Sequence, residues 1–139
     1  MKKLSIVLPA YNEEQNIALS YEEISRILNL HNIHFELIYV NDGSKDNTWN
    51  EILKLREFNC IGINFSRNFG KEAALQAGLQ KASGDCVVVM DCDLQHSPQA
   101  LPLMYEKWLE GYDVVEGIKI NRGTESFSHK LSLKLSISL

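Results

Sequence analysis

Asp91 and Asp93 stand one residue apart at the end of the most apolar run in the chain, Val87–Met90, and Gln95 continues the same spacing. Residues two apart in an extended backbone project to the same side. Extended geometry carried past Met90 therefore places both carboxylates at one crevice. Two carboxylates so close repel unless one takes a proton or a cation lies between them. Hard divalent ions take oxygen ligands, often one or two carboxylates with substrate phosphates completing the shell. The spacing thus suits a metal-bound diphosphate, with Gln95 offering an amide oxygen. A plain turn is the competing interpretation, because Asp is common in turns and D-x-D is a short pattern.

Other polar clusters share this placement after an apolar run. Pro9-Ala10-Tyr11-Asn12-Glu13-Glu14 follows Leu4–Pro9. Its tyrosine ring is suited to stacking on a base, while its acids equally suit the positive end of a following helix. Asn41–Thr48 (NDGSKDNT) follows Phe35–Val40. Ser44, Asp46 and Asn47 there fit a turn and an N-cap. Asp42, at the end of the apolar run, is better placed to accept hydrogen bonds from a base or ribose. Ser66–Lys71 (SRNFGK) offers Arg67 and Lys71, either to a diphosphate or to solvent. Lys119–Ser126, followed by His129 and Lys130, is a cationic stretch of the kind phosphate attracts, or a solvated face. His31, His34, His96 and His129 share no metal-ligand spacing.

Behind these clusters two kinds of segment alternate. Short apolar runs rich in β-branched residues occur at Leu4–Pro9, Phe35–Val40, Ile61–Phe65, Cys86–Met90 and Val114–Ile118. Helical spacing relates Ile17, Tyr21, Ile24 and Leu28; Trp49, Ile52, Leu53 and Leu55; Ala73, Ala74, Ala77, Gly78 and Lys81; and Leu101, Met104, Tyr105 and Trp108. Thr48 with Glu51 predicts a capping box, and Gly111 a helix stop. Strand and helix in alternation imply right-handed βαβ units, an α/β fold with a mostly parallel sheet. Ligands of such sheets collect at the carboxyl ends of the strands. From Leu131 to Leu139 apolar and polar residues alternate strictly. That is a strand signal, although Glu125–Lys130 before it could open a helix. A stripe of this kind also suits packing on a further segment, another subunit or a membrane surface.

The chain of 139 residues is long enough for one domain with a real core, and its 45% apolar and 23% charged residues sit near globular averages. A net charge of −4 argues against nucleic acid as the main partner. Cys60, Cys86 and Cys92 lack C-x-x-C spacing and are expected to be reduced thiols. Leu4–Ala10 is a short run followed by polar Asn12-Glu13-Glu14 without a small-residue cleavage site, which disfavours a signal peptide, and no run reaches the roughly 18 apolar residues of a membrane span. The chain as it stands is expected to be soluble.

Taken in order, IVLPAYNEEQNI, VNDGSKDNT, SRNFGKEAAL, MDCDLQHSP and the DVVEG-to-KLS stretch resemble the inverting family 2 glycosyltransferases, over nearly the whole chain. The similarity is strongest to their polyprenyl-phosphate branch. It implies a GT-A fold, Rossmann-like, with a mostly parallel sheet flanked by helices. Residues 1–124 would form the nucleotide-sugar-binding catalytic domain. Residues 125–139 would begin a C-terminal amphipathic segment that continues in relatives.

The resemblance further implies a Mg2+ or Mn2+ ion and a nucleotide-sugar donor, with UDP-glucose favoured and GDP-mannose second. Pro9, Tyr11, Glu13, Asp42, Lys71 and Asp91 would contact the nucleotide, and Asp91, Asp93 and Gln95 the metal and diphosphate. Lys119, Arg122, Ser126 and Lys130 would meet a polyprenyl phosphate acceptor. Asp93 and Arg122 would carry the catalytic roles. Cys92 replaces the family's usual Ala, and Lys119 its common Arg, exchanging a bidentate fork for a point charge. The full-length protein would act at the cytoplasmic side of the cell membrane, reaching its surface through the C-terminal continuation, and self-association is compatible with the terminal stripe. A transferase acting on a polysaccharide or wall polymer, and a nucleotide-binding fragment without turnover, are the alternative functions.

Overall fold

A computed structural model describes residues 1–56, 58–95 and 97–112, together with the backbone of 115–116 and 134–137. Among the described residues, four helices and six strands follow in order: β1 (Lys3–Ala10), α1 (Ile17–Leu30), β2 (His34–Asn41), α2 (Thr48–Leu53), β3 (Cys60–Asn64), α3 (Lys71–Lys81), β4 (Cys86–Val89), α4 (Ala100–Leu109), β5 (Val115–Glu116) and β6 (Lys134–Ile137). They form one sheet in the order β3-β2-β1-β4-β6-β5. β1 pairs in parallel with β2 and β4, β2 with β3, while β6 runs antiparallel between β4 and β5. The expected α/β class with a mostly parallel sheet is what forms. In the tail, the strand signal prevails at Lys134–Ile137, where β6 satisfies the free edge of β4.

The two faces of the sheet follow the period of two. Leu4, Ile6 and Leu8 of β1, with Leu37 and Tyr39 of β2, pack against Ile17, Ile24 and Leu28 of α1, Ile52 of α2 and Leu101 of α4. Val7, Ile38, Val40 and Val87 face the other way, onto Ala74 of α3. The small residues of α3 permit that close packing: a Cβ added at Gly78 would lie 2.3 Å from Val7 Cγ1. Leu4, Ile6, Val7 and Leu8 have no solvent exposure, as expected for a central strand covered on both faces.

A buried carboxylate pins the amino ends of the strands. Glu36 of β2 accepts hydrogen bonds at Oε2 from Ser5 Oγ (2.6 Å) and from the main-chain N–H of Ser83 (2.8 Å), and Lys3 Nζ lies 3.3 Å from its Oε1. Burial acts to raise its pKa, but the bonds from Ser5, Ser83 and Lys3 prevail and hold the carboxyl below the usual range.

The capping box expected at Thr48 and Glu51 does not form. Thr48 is already the first residue of α2, and its N–H is accepted by Asp46 Oδ1 at 2.9 Å. The Thr48 hydroxyl is used elsewhere, as described below.

Candidate functional site

β1 lies where the connections of the sheet reverse: the chain moves outward to β2 and β3, then returns to β4 on the other side of β1. Neighbouring strands whose following loops part in opposite directions leave a crevice at their carboxyl ends. The loops after β1, β2 and β4 and the start of α3 enclose a cavity there of about 160 Å³. It is lined by Pro9, Ala10, Tyr11, Glu13, Asp42, Lys71 and Asp91.

The loop after β1 is held by the loop after β2. Ser44 Oγ accepts the Asn12 N–H at 2.8 Å, Thr48 Oγ1 accepts the Glu13 N–H at 2.8 Å, and Asp46 Oδ2 accepts the Glu14 N–H at 3.4 Å. In return Asn12 Oδ1 accepts the Lys45 N–H and Glu14 Oε1 the Asn47 N–H, each at 2.9 Å. Asn12 adopts a φ of 53°, a left-handed conformation that Asn tolerates better than most residues. This clasp leaves the Tyr11 ring half-exposed at the cavity wall. Ser44 and Asp46, expected to serve a local turn and cap, also bridge two loops. Burial disfavours the Asp46 carboxylate, but the bonds from Thr48 and Glu14 outweigh it and keep its pKa below the ordinary value.

Asp42 directly follows β2, and it is buried. Its Oδ1 accepts the Phe69 N–H at 2.8 Å and its Oδ2 the Gly70 N–H at 3.2 Å. The residue thus fixes the entrance to α3 while it lines the cavity. Gly43 beside it has a φ of +68°, and an added Cβ would lie 2.2 Å from the Arg67 carbonyl carbon. Only glycine lets the two loops approach so closely.

β4 stops at Val89, although the Met90 N–H still bonds to Val7 O at 3.0 Å. Extended geometry does not continue to Asp93, contrary to the expectation that the two aspartates project together from a strand. Cys92 turns inward, fully buried, with Sγ 3.6 Å from Pro9 O. Asp91 faces the cavity, whereas Asp93 is exposed in a turn where Oδ1 accepts the Gln95 N–H at 3.1 Å. The chain turns at Cys92 and Asp93, and Leu94 takes a φ of 59°, a left-handed conformation that ends the extended run. Burial also raises the Cys92 thiol far above its ordinary pKa, so it is a packing group. Cys60 and Cys86 are likewise buried free thiols.

Lys71 Nζ lies 2.9 Å from Asp91 Oδ1 across the cavity. Arg67, by contrast, stacks on Phe69 at 4.7 Å from the ring centroid. All six positions expected at the nucleotide line the cavity; Asp93 and Gln95 lie on the turn that follows Asp91. Lys119, Arg122, Ser126 and Lys130 fall outside the described residues, as do His96 and His129. Sequence reasoning missed the clasp through Thr48 and the anchoring by Cys92, because hydroxyl and thiol partners distant in sequence leave no local signal.

Three carboxylates (Glu13, Asp42, Asp91) and one ammonium (Lys71) line the cavity. An anionic ligand entering this acidic lining needs an additional cation. The donors present fit a hard divalent ion: Asp91, Asp93 and Gln95 offer only oxygen. Among the described residues no cluster of three His, Cys, Asp or Glu forms a complete protein cage. An ion held there by one or two carboxylates would complete its shell with phosphate oxygens and water.

Residues 5–136 match the model of glycosyl transferase family 2. The bactoprenol glucosyl transferase of Shigella phage SfV is 40% identical over 125 residues, covering 88% of this chain and 40% of that protein. A mannosyltransferase of Pyrobaculum calidifontis, solved with GDP-Man and Mn2+, superposes with a TM-score of 0.76 at 20% identity, over 98% of this chain and 44% of its own. Glucosyl-3-phosphoglycerate synthase of Mycobacterium tuberculosis, solved with Mn2+, UDP and glucosyl-3-phosphoglycerate, gives a TM-score of 0.66 at 29% identity, over 83% and 43% of the two chains. The chain spans about two fifths of the length of the curated relatives it matches, 39–42%. No helix among the described residues is long and apolar enough to cross a membrane.

Proposed function

The chain belongs to glycosyl transferase family 2 and has the GT-A fold, and from that premise we propose that it forms the donor-binding part of a metal-dependent, inverting glucosyltransferase. The donor is UDP-glucose and the acceptor a polyprenyl phosphate at a membrane surface. One observation carries the donor site: the acidic cavity at the β1–β4 switch point, with a single lysine on its wall. The glucosyl and polyprenyl assignments are supported by the 40% identity to a bactoprenol glucosyl transferase.

In this mechanism Tyr11 stacks on the base and Asp42 accepts a hydrogen bond from base or ribose. Pro9 and Glu13 shape the wall around them. Asp91, Asp93 and Gln95 would hold a Mg2+ or Mn2+ ion, which supplies the positive charge that stabilises a departing diphosphate. Lys71 adds its ammonium to the same oxygens. The acceptor phosphate oxygen is already anionic, so attack on the anomeric carbon needs no strong general base. A new C–O bond forms on the face opposite the leaving diphosphate, which departs with the bonding electron pair, and the configuration inverts. Lys119, Arg122, Ser126 and Lys130 are assigned to the acceptor phosphate, where they offset repulsion between the two phosphate groups.

The test is a thermal-shift panel of UDP, GDP, UDP-glucose and GDP-mannose, each with and without Mn2+, followed by transfer of labelled glucose to a short polyprenyl phosphate. A ligand at about 100 times its dissociation constant adds roughly 2.7 kcal/mol, a shift of several degrees. Metal-dependent stabilisation by the uridine compounds supports the reading. A guanosine preference would replace the donor, and transfer that ignores the lipid phosphate would replace the acceptor.

A further inference from the structure

Of the three carboxylates on the cavity wall, Asp42 is occupied by main-chain N–H groups of Phe69 and Gly70, and Glu13 accepts Asn16 Nδ2 at 2.7 Å. Asp91 is the one whose partner among the described residues is a cation, Lys71. The two come from different walls: Lys71 opens α3 and Asp91 follows β4. The side chains are 61% and 41% exposed, so the pair is open to solvent. Exposed ion pairs hold weakly, and a lysine head on a four-carbon stem readily changes partner.

We propose that the Lys71 ammonium is a resident counter-ion for Asp91, which the divalent ion displaces and the donor's diphosphate draws away. This rests on the donor-site reading above. Lys71 is then a positioning residue that couples two ligands. It opposes an ion arriving alone, because Asp91 already has a partner. It favours an ion arriving with a diphosphate, because the phosphate oxygens give the ammonium a new partner and release Asp91. The acidic lining explains the need for such a device: a cavity with three carboxylates would otherwise attract a bare cation without its substrate.

The experiment measures binding, free of turnover, for the wild-type chain, Lys71→Met and Lys71→Arg. Mn2+ alone is titrated by the loss of its free-ion paramagnetic resonance signal, and UDP alone is titrated in the presence of chelator. In Lys71→Met the affinity for Mn2+ alone is expected to rise about two- to fivefold, the range an exposed ion pair allows. Its metal-free affinity for UDP is expected to fall, and the factor by which UDP enhances Mn2+ binding to shrink. Lys71→Arg retains the charge and should stay near wild type. Unchanged or weaker Mn2+ binding by Lys71→Met, with UDP and Mn2+ still bound jointly, would overturn the counter-ion role and leave the donor site standing. Failure of the wild-type chain to bind UDP with Mn2+ would overturn both.

Discussion

Asp42 Oδ1 accepts the main-chain N–H of Phe69 at 2.8 Å, joining the end of β2 to the entrance of α3. Through this bond a residue on the cavity wall also determines where Lys71, two residues beyond Phe69, begins its helix. Ligand contact and loop position are thereby combined in one carboxylate.

Asp42→Asn should expose that double duty. An amide supplies one acceptor oxygen and turns its NH2 toward a main-chain N–H, leaving a buried donor unpaired. A stability loss of about 1–3 kcal/mol is expected in urea unfolding. Nucleotide affinity should fall with it, because Lys71 loses its fixed origin. Full stability with weakened UDP binding would instead mean that the carboxylate serves the ligand only.

Gly43→Ala tests the close approach of the two loops. The φ of +68° and a Cβ position 2.2 Å from the Arg67 carbonyl carbon leave no room for a methyl group. Strain of about 1–3 kcal/mol, plus displacement of residues 67–68, is expected. A melting temperature within a degree of wild type would contradict the packing described.

Asp46→Ala removes the acceptor for the Thr48 N–H and for the Glu14 N–H. A loss of about 1 kcal/mol is expected, the size of a helix cap. Nucleotide affinity should change little, since Ser44 and Thr48 still hold the loop. A tenfold loss of UDP affinity would make the clasp a binding element.

Asp93→Asn bears on the metal. The side chain is exposed, and an amide oxygen can still accept the Gln95 N–H, so stability should be unaffected. Mn2+-dependent UDP binding should be lost or fall at least about tenfold, as expected for removal of an ion's carboxylate ligand. Calorimetric titration of UDP with and without Mn2+ reads this directly, and an unaltered Mn2+ dependence would remove Asp93 from the ion's ligands.

Acid should unfold the protein partly through Glu36. Its folded pKa lies below the unfolded value of about 4.3, so its contribution is present above that value and is lost as pH falls through the folded pKa. Between about pH 5 and pH 3, Glu36→Gln should show a flatter fall in unfolding free energy than wild type. Parallel curves for the two proteins would place the acid sensitivity elsewhere.

The sequence by itself determined the alternation of strands and helices and the clustering of polar residues after the strands. Both are local properties: strand and helix impose periods of two and 3.6 on apolar residues, and polar residues fall where the core ends. It also carried the positions that line the cavity, from Pro9 to Asp91. The geometry around Asp91 and Asp93 was not local. The chain turns at Cys92 and Asp93, with Leu94 at a φ of 59°, so extended geometry ends before Asp93. Nor were the partners of Thr48 legible, because a hydroxyl fits a helix cap as well as it fits a neighbouring loop, and only the packed sheet brings Glu13 within 2.8 Å of it. The tertiary structure decided those contacts because the order β3-β2-β1-β4 sets side by side the loops that follow β1 and β2 and the chain that leaves β4. Hydrogen bonds between segments more than 30 residues apart depend on that order, which no short stretch of sequence encodes.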